Sequence, residues 1–213
     1  MKIKTFTFNP FAENTYVVYD EKTKDCIIID PGCYDSDEEK MLFNFISSKK
    51  LIPKRLINTH CHIDHVFGNN FVMKNWNIKL FTHKKEEDLL NQSENIAKSY
   101  GFENYQPSPK ADNFIDENDN IELGKEKFKI FFTPGHSPGH ICLYNKKYNF
   151  LISGDVIFMN SIGRTDLPGG NHKTLIESIN TKIINLPEET TIYCGHGPST
   201  TLVNEKINNP FLN

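Results

Sequence analysis

A chain of 213 residues, 38% hydrophobic and 24% charged, is long enough to bury a sizeable core and has the make-up of a globular protein. Its formal net charge of −3 supplies no field that would gather nucleic acid or an anionic membrane. The longest apolar runs, Cys26-Ile27-Ile28-Ile29 and Phe150-Leu151-Ile152, are strand-sized and far short of a bilayer span, so the expected partner is a small molecule.

The opening Met1-Lys2-Ile3-Lys4-Thr5-Phe6-Thr7-Phe8 alternates apolar and polar residues, which predicts a strand and not a signal peptide. Five scattered cysteines, Cys26, Cys33, Cys61, Cys142 and Cys194, show no paired spacing and read as reduced thiols. A cytoplasmic protein is expected, as a monomer or homodimer. Residues 3–8, 15–19 and 26–30 are short runs of β-branched and aromatic residues separated by turns, and Pro31-Gly32 stops the third. Residues 35–49 place Met41, Leu42, Phe45 and Ile46 at helical spacing behind an acidic first turn. A strand resumes at Leu56-Ile57. Helices are predicted over 66–76 and 83–100, the latter ending at Gly101, with a strand over 79–81 between them. The Pro-, Asp- and Asn-rich stretch 106–120 reads as a surface connection. Strands at 120–123, 127–132, 141–144, 150–153 and 191–194 follow, with a helix over 173–186. Strand-rich segments closed by helices, twice over, predict two sheets packed face to face with helices outside, in one domain spanning 1–213.

The densest chemistry lies in Thr59-His60-Cys61-His62-Ile63-Asp64-His65, directly after the apolar run at Leu56-Ile57. Imidazole nitrogen and carboxylate oxygen suit divalent zinc, iron or manganese. Side chains alternate on an extended segment, so His60 and His62 converge on one ion while Cys61 turns away. Asp64 and His65, beyond the bend, are left for a second ion. Three further donor segments follow strand ends: Thr133-Pro134-Gly135-His136-Ser137-Pro138-Gly139-His140, Ser153-Gly154-Asp155 and Cys194-Gly195-His196-Gly197-Pro198. Loops at strand ends are where a rigid scaffold presents reactive groups.

The ordered set His60, His62, Asp64, His65, His136, Asp155 and His196 resembles the binuclear ligand set of the metallo-β-lactamase superfamily, along nearly the whole chain. The resemblance implies an α/β fold, a four-layer αββα sandwich of two mixed sheets flanked by helices. It also implies that His60, His62 and His136 hold one divalent ion, that Asp64, His65 and His196 hold another, and that Asp155 bridges them. Zinc is the expected metal, with iron or manganese as alternatives. Within the superfamily, the loop at 133–140, Ile162-Gly163-Arg164-Thr165-Asp166-Leu167-Pro168-Gly169-Gly170 and the ending Gly195-His196-Gly197-Pro198 with Asn209-Pro210-Phe211 look like short, single-domain glyoxalase II. The helical domain with which full-length glyoxalase II holds glutathione is not matched after His196.

That resemblance implies hydrolysis of a hydroxyacyl thioester such as S-lactoylglutathione. A water bridging two ions loses a proton near neutral pH, and the resulting hydroxide attacks a carbonyl that one ion polarises. Asp64 has a second role in orienting that hydroxide, and a thiolate leaves without a general acid. Arg164 has two readings: it grips a substrate carboxylate through paired hydrogen bonds, or it braces its own loop against Asp166. Asp30 has two as well, support for a ligand or a turn-starting Asp before Pro-Gly. The resemblance implies that His140 is a structural residue or a support for a ligand. Two alternative activities are a mononuclear iron persulfide dioxygenase, which shares the Thr-His-Cys-His and Gly-Arg-Thr-Asp motifs, and another metallo-hydrolase such as a lactonase.

Overall fold

A computed structural model describes residues 1–212, which cluster into two compact units: residues 1–114 with 123–125, and residues 115–122 with those from 126 onward. In the first unit, β1 (Lys2–Phe8) and β2 (Glu13–Tyr19) form an antiparallel hairpin pairing Lys2 with Tyr19 and Phe8 with Glu13. β1 alternates exposed lysine and threonine with inward Phe6 and Phe8, whereas β2 is buried nearly throughout. β3 (Asp25–Ile29) pairs antiparallel with β2. Then α1 (Ser36–Ser48) crosses over to β4 (Ile52–Ile57), parallel to β3. Asp35 caps α1, its carboxylate accepting the Asp37 and Glu38 N–H groups at 2.9 Å each. Leu42 and Ile46 of α1 join Phe6, Phe8, Val17, Ile28 and Leu56 in the core. Pro53 cannot donate to the ladder, and the β3–β4 register shifts where it lies, between Cys26 and Ile27.

The helix expected over 66–76 is two helices, α2 (Ile63–Val66) and α3 (Asn69–Trp76). The break lies at Gly68, whose N–H donates to the Pro31 carbonyl at 2.7 Å. A Cβ there would sit 2.3 Å from Cys33 Sγ, so the close approach demands glycine. β5 (Lys79–Thr82) pairs parallel with β4, and the second expected helix is also divided. A 3₁₀ turn at Lys84–Glu86 leads into α4 (Glu87–Asn91) and α5 (Ser93–Ser99), broken at Gln92. β6 (Asn113–Phe114) ends the sheet, whose order is β1-β2-β3-β4-β5-β6.

The second sheet comprises β7 (Asn120–Leu123), β8 (Glu126–Phe132), β9 (Ile141–Asn145) and β10 (Phe150–Gly154), then, beyond a small hairpin and a helix, β13 and β14. The hairpin is β11 (Ile157–Phe158) with β12 (Ser161–Ile162), and α6 (His172–Ser178) runs on into a π-type segment, Ile179–Ile183. β13 (Thr191–Cys194), parallel to β10, β14 (Thr200–Thr201) and α7 (Leu202–Asn208) follow. The sheet order is β14-β13-β10-β9-β8-β7. Leu151, Ile192, Leu175, Ile179 and Leu202 carry this core. α7, unassigned by periodicity, is capped by Thr201 and buries Glu205, which accepts from the Thr200 hydroxyl at 2.6 Å and the Asn160 N–H at 2.8 Å. Among the described residues no helix is long and apolar enough to cross a membrane.

All five cysteines are buried and unpaired with one another. Desolvation pushes the Cys26 and Cys194 thiols up to about 12, and those of Cys33 and Cys61 well above the ordinary value. Since thiolate is the nucleophile, the native protein should resist a thiol-reactive disulfide reagent at pH 8. All five thiols should react once the chain is denatured. Prompt release of chromophore from native protein would contradict this burial.

Candidate metal centre

Because β4 lies between parallel neighbours, its C-terminal end delivers residues 58–62 beside the ends of β3 and β5. The His60 and His62 ring centroids are 4.8 Å apart, and His60 and His65 4.1 Å. His60 and His65 are fully buried, while His62 and Asp64 are partly exposed. His62 is the last extended residue before α2, which carries Asp64 and His65. In the first unit, then, His60, His62, Asp64 and His65 share one neighbourhood. Cys61 turns away from it, its Sγ 3.6 Å from Thr82 Oγ1.

Asp30 supports this cluster from behind. It ends β3 at a left-handed φ of 47°, a conformation tolerated by Asp more than by most side chains. Its Oδ1 accepts the Thr59 N–H at 2.7 Å, its Oδ2 accepts the Thr59 hydroxyl at 2.6 Å, and Oδ2 lies 3.3 Å from His65 Nδ1. Asp30, His60 and His65 offer ligand atoms within 4.8 Å of one another, yet Asp30 addresses the Nδ1 side of His65. Asp30 thus faces His65 at Nδ1, which leaves Nε2, 3.6 Å from Asp64 Oδ2, as the edge turned toward the rest of the cluster.

Glu13 is a second carboxylate near that nitrogen, with Oε1 3.7 Å from His65 Nδ1. Its Oε2 accepts from Thr15 Oγ1 at 3.0 Å, and Thr15 Oγ1 accepts the Gly32 N–H at 2.8 Å. Complete burial raises the Glu13 carboxyl well above the usual range, His65 opposes the rise, and Asp30 and Asp64 add to it. Asn9 closes the neighbourhood by donating from Nδ2 to the carbonyls of Gly32 at 2.9 Å and Asp64 at 3.0 Å.

In the second unit His136, Asp155 and His196 converge. His136 Nε2 is 3.4 Å and His196 Nε2 3.5 Å from the same oxygen, Asp155 Oδ2. The His136 loop is fixed by Ser178, whose hydroxyl donates to the Pro134 carbonyl at 2.7 Å, and by the Asn171 N–H on the Gly135 carbonyl at 2.7 Å. His136 Nδ1 lies 2.7 Å from the Arg164 carbonyl. A carbonyl only accepts, so Nδ1 carries the proton and Nε2 keeps its lone pair. His140 is buried and its Nε2 accepts the Asp155 N–H at 3.0 Å, placing its own proton on Nδ1, 3.2 Å from Thr133 Oγ1. It fixes the main chain at Asp155. The His196 loop is held to the end of β10 by the Gly195 N–H on the Gly154 carbonyl at 2.7 Å.

Imidazole nitrogens gathered around carboxylate oxygens, with His136 oriented through its Nδ1, are the kind of donor set that suits a divalent cation. A family model described as the metallo-beta-lactamase superfamily matches residues 8–196. The chain belongs to that superfamily. Its fold is the superfamily's: the chain aligns with the crystal structure of BLEG-1 B3 metallo-beta-lactamase at a TM-score of 0.91 and 36% identity, over 100% of both chains. A probable metallo-hydrolase, YqgX of Bacillus subtilis, is 36% identical over 100% of this chain and 98% of its own. Hydroxyacylglutathione hydrolase GloC of Haemophilus influenzae is 34% identical over 100% and 99%. The chain is accordingly a metal-dependent hydrolase by family.

Arg164 pairs with Asp166 through Nε–Oδ1 and Nη2–Oδ2, each at 2.7 Å, with both side chains largely exposed. The hydrogen bonds from Arg164 lower the Asp166 carboxyl to about 2. What periodicity and motif reading missed is the role of the Arg164 backbone, together with Glu13 and Thr15. A charged residue opening the apolar strand β2 was the one available signal. Gly163 was passed over as well: a Cβ there would lie 1.9 Å from the Asp155 carbonyl and 3.0 Å from His136 Nδ1. Gly163→Ala should therefore destabilise the fold by about 1–3 kcal/mol, as overpacking does, and lower metal content. Denaturant unfolding and elemental analysis would show both, whereas an alanine variant with parental stability and metal would refute the close approach.

Proposed function

We propose that the chain is a thioester hydrolase of the glyoxalase II type, cleaving a hydroxyacyl thioester such as S-lactoylglutathione with two divalent ions, zinc first among them. The observation that carries this is the oriented donor set. His136 is held at Nδ1 by the Arg164 carbonyl, His65 faces Asp30, and His136 and His196 share one Asp155 oxygen. The full-length likeness to GloC supports the substrate class.

In this reading His60, His62 and His136 would hold one ion, Asp64, His65 and His196 would hold the other, and Asp155 would serve both. Bound ions supply a water of lowered pKa and a Lewis acid for the substrate carbonyl. Asp64 would also accept a hydrogen bond from the attacking water and orient it. Asp30 and His140 keep His65 and Asp155 in place through turnover. Because a thiol is a good leaving group, no acid residue is needed beside the departing sulfur.

Protein purified without chelator should carry two ions per chain and hydrolyse S-lactoylglutathione, read by elemental analysis and loss of thioester absorbance. One ion per fully active chain, with oxygen uptake on glutathione persulfide, would replace this reading with an iron dioxygenase. Turnover confined to lactones or to a chromogenic β-lactam would keep the hydrolase and discard the thioester.

Arg164 is assigned to the substrate carboxylate, which its guanidinium engages in competition with Asp166. Arg164→Ala should raise KM for S-lactoylglutathione by the equivalent of about 1.5–3 kcal/mol, the range for hydrogen bonds to charged groups. A neutral thioester should be hydrolysed equally by variant and parent. Equal losses on both substrates, with a lower melting temperature, would leave Arg164 as a brace for its loop.

A further inference from the structure

The segment joining β4 to α2 carries His60 and His62 but belongs to neither element, so its shape depends on where its N–H groups go. The Asn58 N–H donates to the Phe81 carbonyl at 2.9 Å, and the Thr59 N–H to Asp30 Oδ1 at 2.7 Å. The His65 N–H donates to the His62 carbonyl at 3.1 Å, within the first turn of α2. The N–H of Cys61, the residue between the two histidines, donates to Glu86 Oε2 at 2.8 Å.

Glu86 is an unusual place to find a buried carboxyl group. It lies in the run Lys84-Lys85-Glu86-Glu87-Asp88, where Lys84, Lys85 and Asp88 are exposed and Glu86 is fully buried. Taking a carboxylate out of water is costly unless specific hydrogen bonds compensate. The topology explains its position. β5 lies parallel to β4, so the 3₁₀ turn that follows β5 emerges beside the segment that follows β4. From there Glu86 meets the Cys61 N–H, while Thr82 meets the Cys61 thiol.

We propose that Glu86 is a positioning residue for metal: by accepting the Cys61 N–H it sets the spacing and tilt of His60 and His62 without itself binding an ion. This rests on the reading that those two histidines are ligands. The hydrogen bond is the operative feature. A neutral amide oxygen at the same place satisfies the same N–H, and a methyl group does not.

The test compares parent, Glu86→Gln and Glu86→Ala proteins, stripped of metal with chelator. Zinc affinity is read by competition with a chromogenic chelator, geometry by the visible spectrum of the cobalt-loaded protein, and folding by the melting temperature of the metal-free chain. Glu86→Ala should bind zinc about 10–100-fold more weakly, the usual effect of removing a group that supports ligands, with altered cobalt bands. Glu86→Gln should restore both the spectrum and the affinity, to within about threefold, well under the tenfold that 1.4 kcal/mol represents. An alanine variant that melts lower but binds zinc and cobalt as the parent does would overturn the proposal, leaving Glu86 a packing residue. Failure of glutamine to rescue would overturn it too, since the charge would then be the operative feature. A parent that takes up neither metal would instead bring down the metal reading on which the proposal rests.

Discussion

The metal loop depends first on one carboxylate. Asp30 stands at the end of a central strand, bent into a left-handed conformation, and spends both oxygens on Thr59 and His65. Through the Thr59 N–H and hydroxyl it fixes where the chain leaves β4, and through His65 it turns an imidazole. The backbone strain of a non-glycine residue at positive φ persists only where surrounding bonds over-determine it. Here the Asp30 N–H is also tied to the Ile57 carbonyl at 3.0 Å, locking the ends of β3 and β4 together. Nothing larger than hydrogen goes into the adjacent bend, since a Cβ on Gly32 would lie 2.0 Å from Glu13 Oε2.

The same device recurs in the second unit with different atoms. His136 takes its orientation from a backbone carbonyl, that of Arg164, and the main chain at Asp155 is held through its N–H by the neutral ring of His140. His136 is thus held at the ring nitrogen opposite the one it turns toward Asp155. This matters because an imidazole has two chemically distinct nitrogens, and the partner at one decides the protonation of the other. Orientation is thereby established in the protein before any ion enters.

Burying so many polar groups has a cost, and hydrogen-bonded chains offset part of it. Glu13, Thr15 and the Gly32 N–H form one chain, while Glu86 and the Cys61 N–H form another bond of the same kind. Glu205 forms a third hub, holding the β11–β12 hairpin through the Asn160 N–H and the C-terminal segment through Asn209 Nδ2 at 2.8 Å. Such networks rigidify the loops that carry function, which otherwise lack the ladder bonds of strands.

Most of the strands, the helix α1 and the superfamily were legible in the amino-acid order, because each rests on local pattern. Alternation in β1, the capped acidic turn before α1 and the His-x-His-x-Asp-His spacing are all visible within a dozen residues. The breaks at Gly68 and Gln92 were not, since Gly68 is decided by the Pro31 carbonyl and Cys33 Sγ, both more than thirty residues upstream. The two-residue strands β6, β11, β12 and β14 are too short to show a period and exist only through their partners. Glu13, Glu86 and the Arg164 carbonyl were likewise invisible as supports, because a polar residue in a sequence carries no record of what it will face. Donor identity is a property of composition and spacing, which the chain carries by itself. Donor orientation is a property of hydrogen bonds between residues far apart in sequence, and only the folded structure brings those partners within reach.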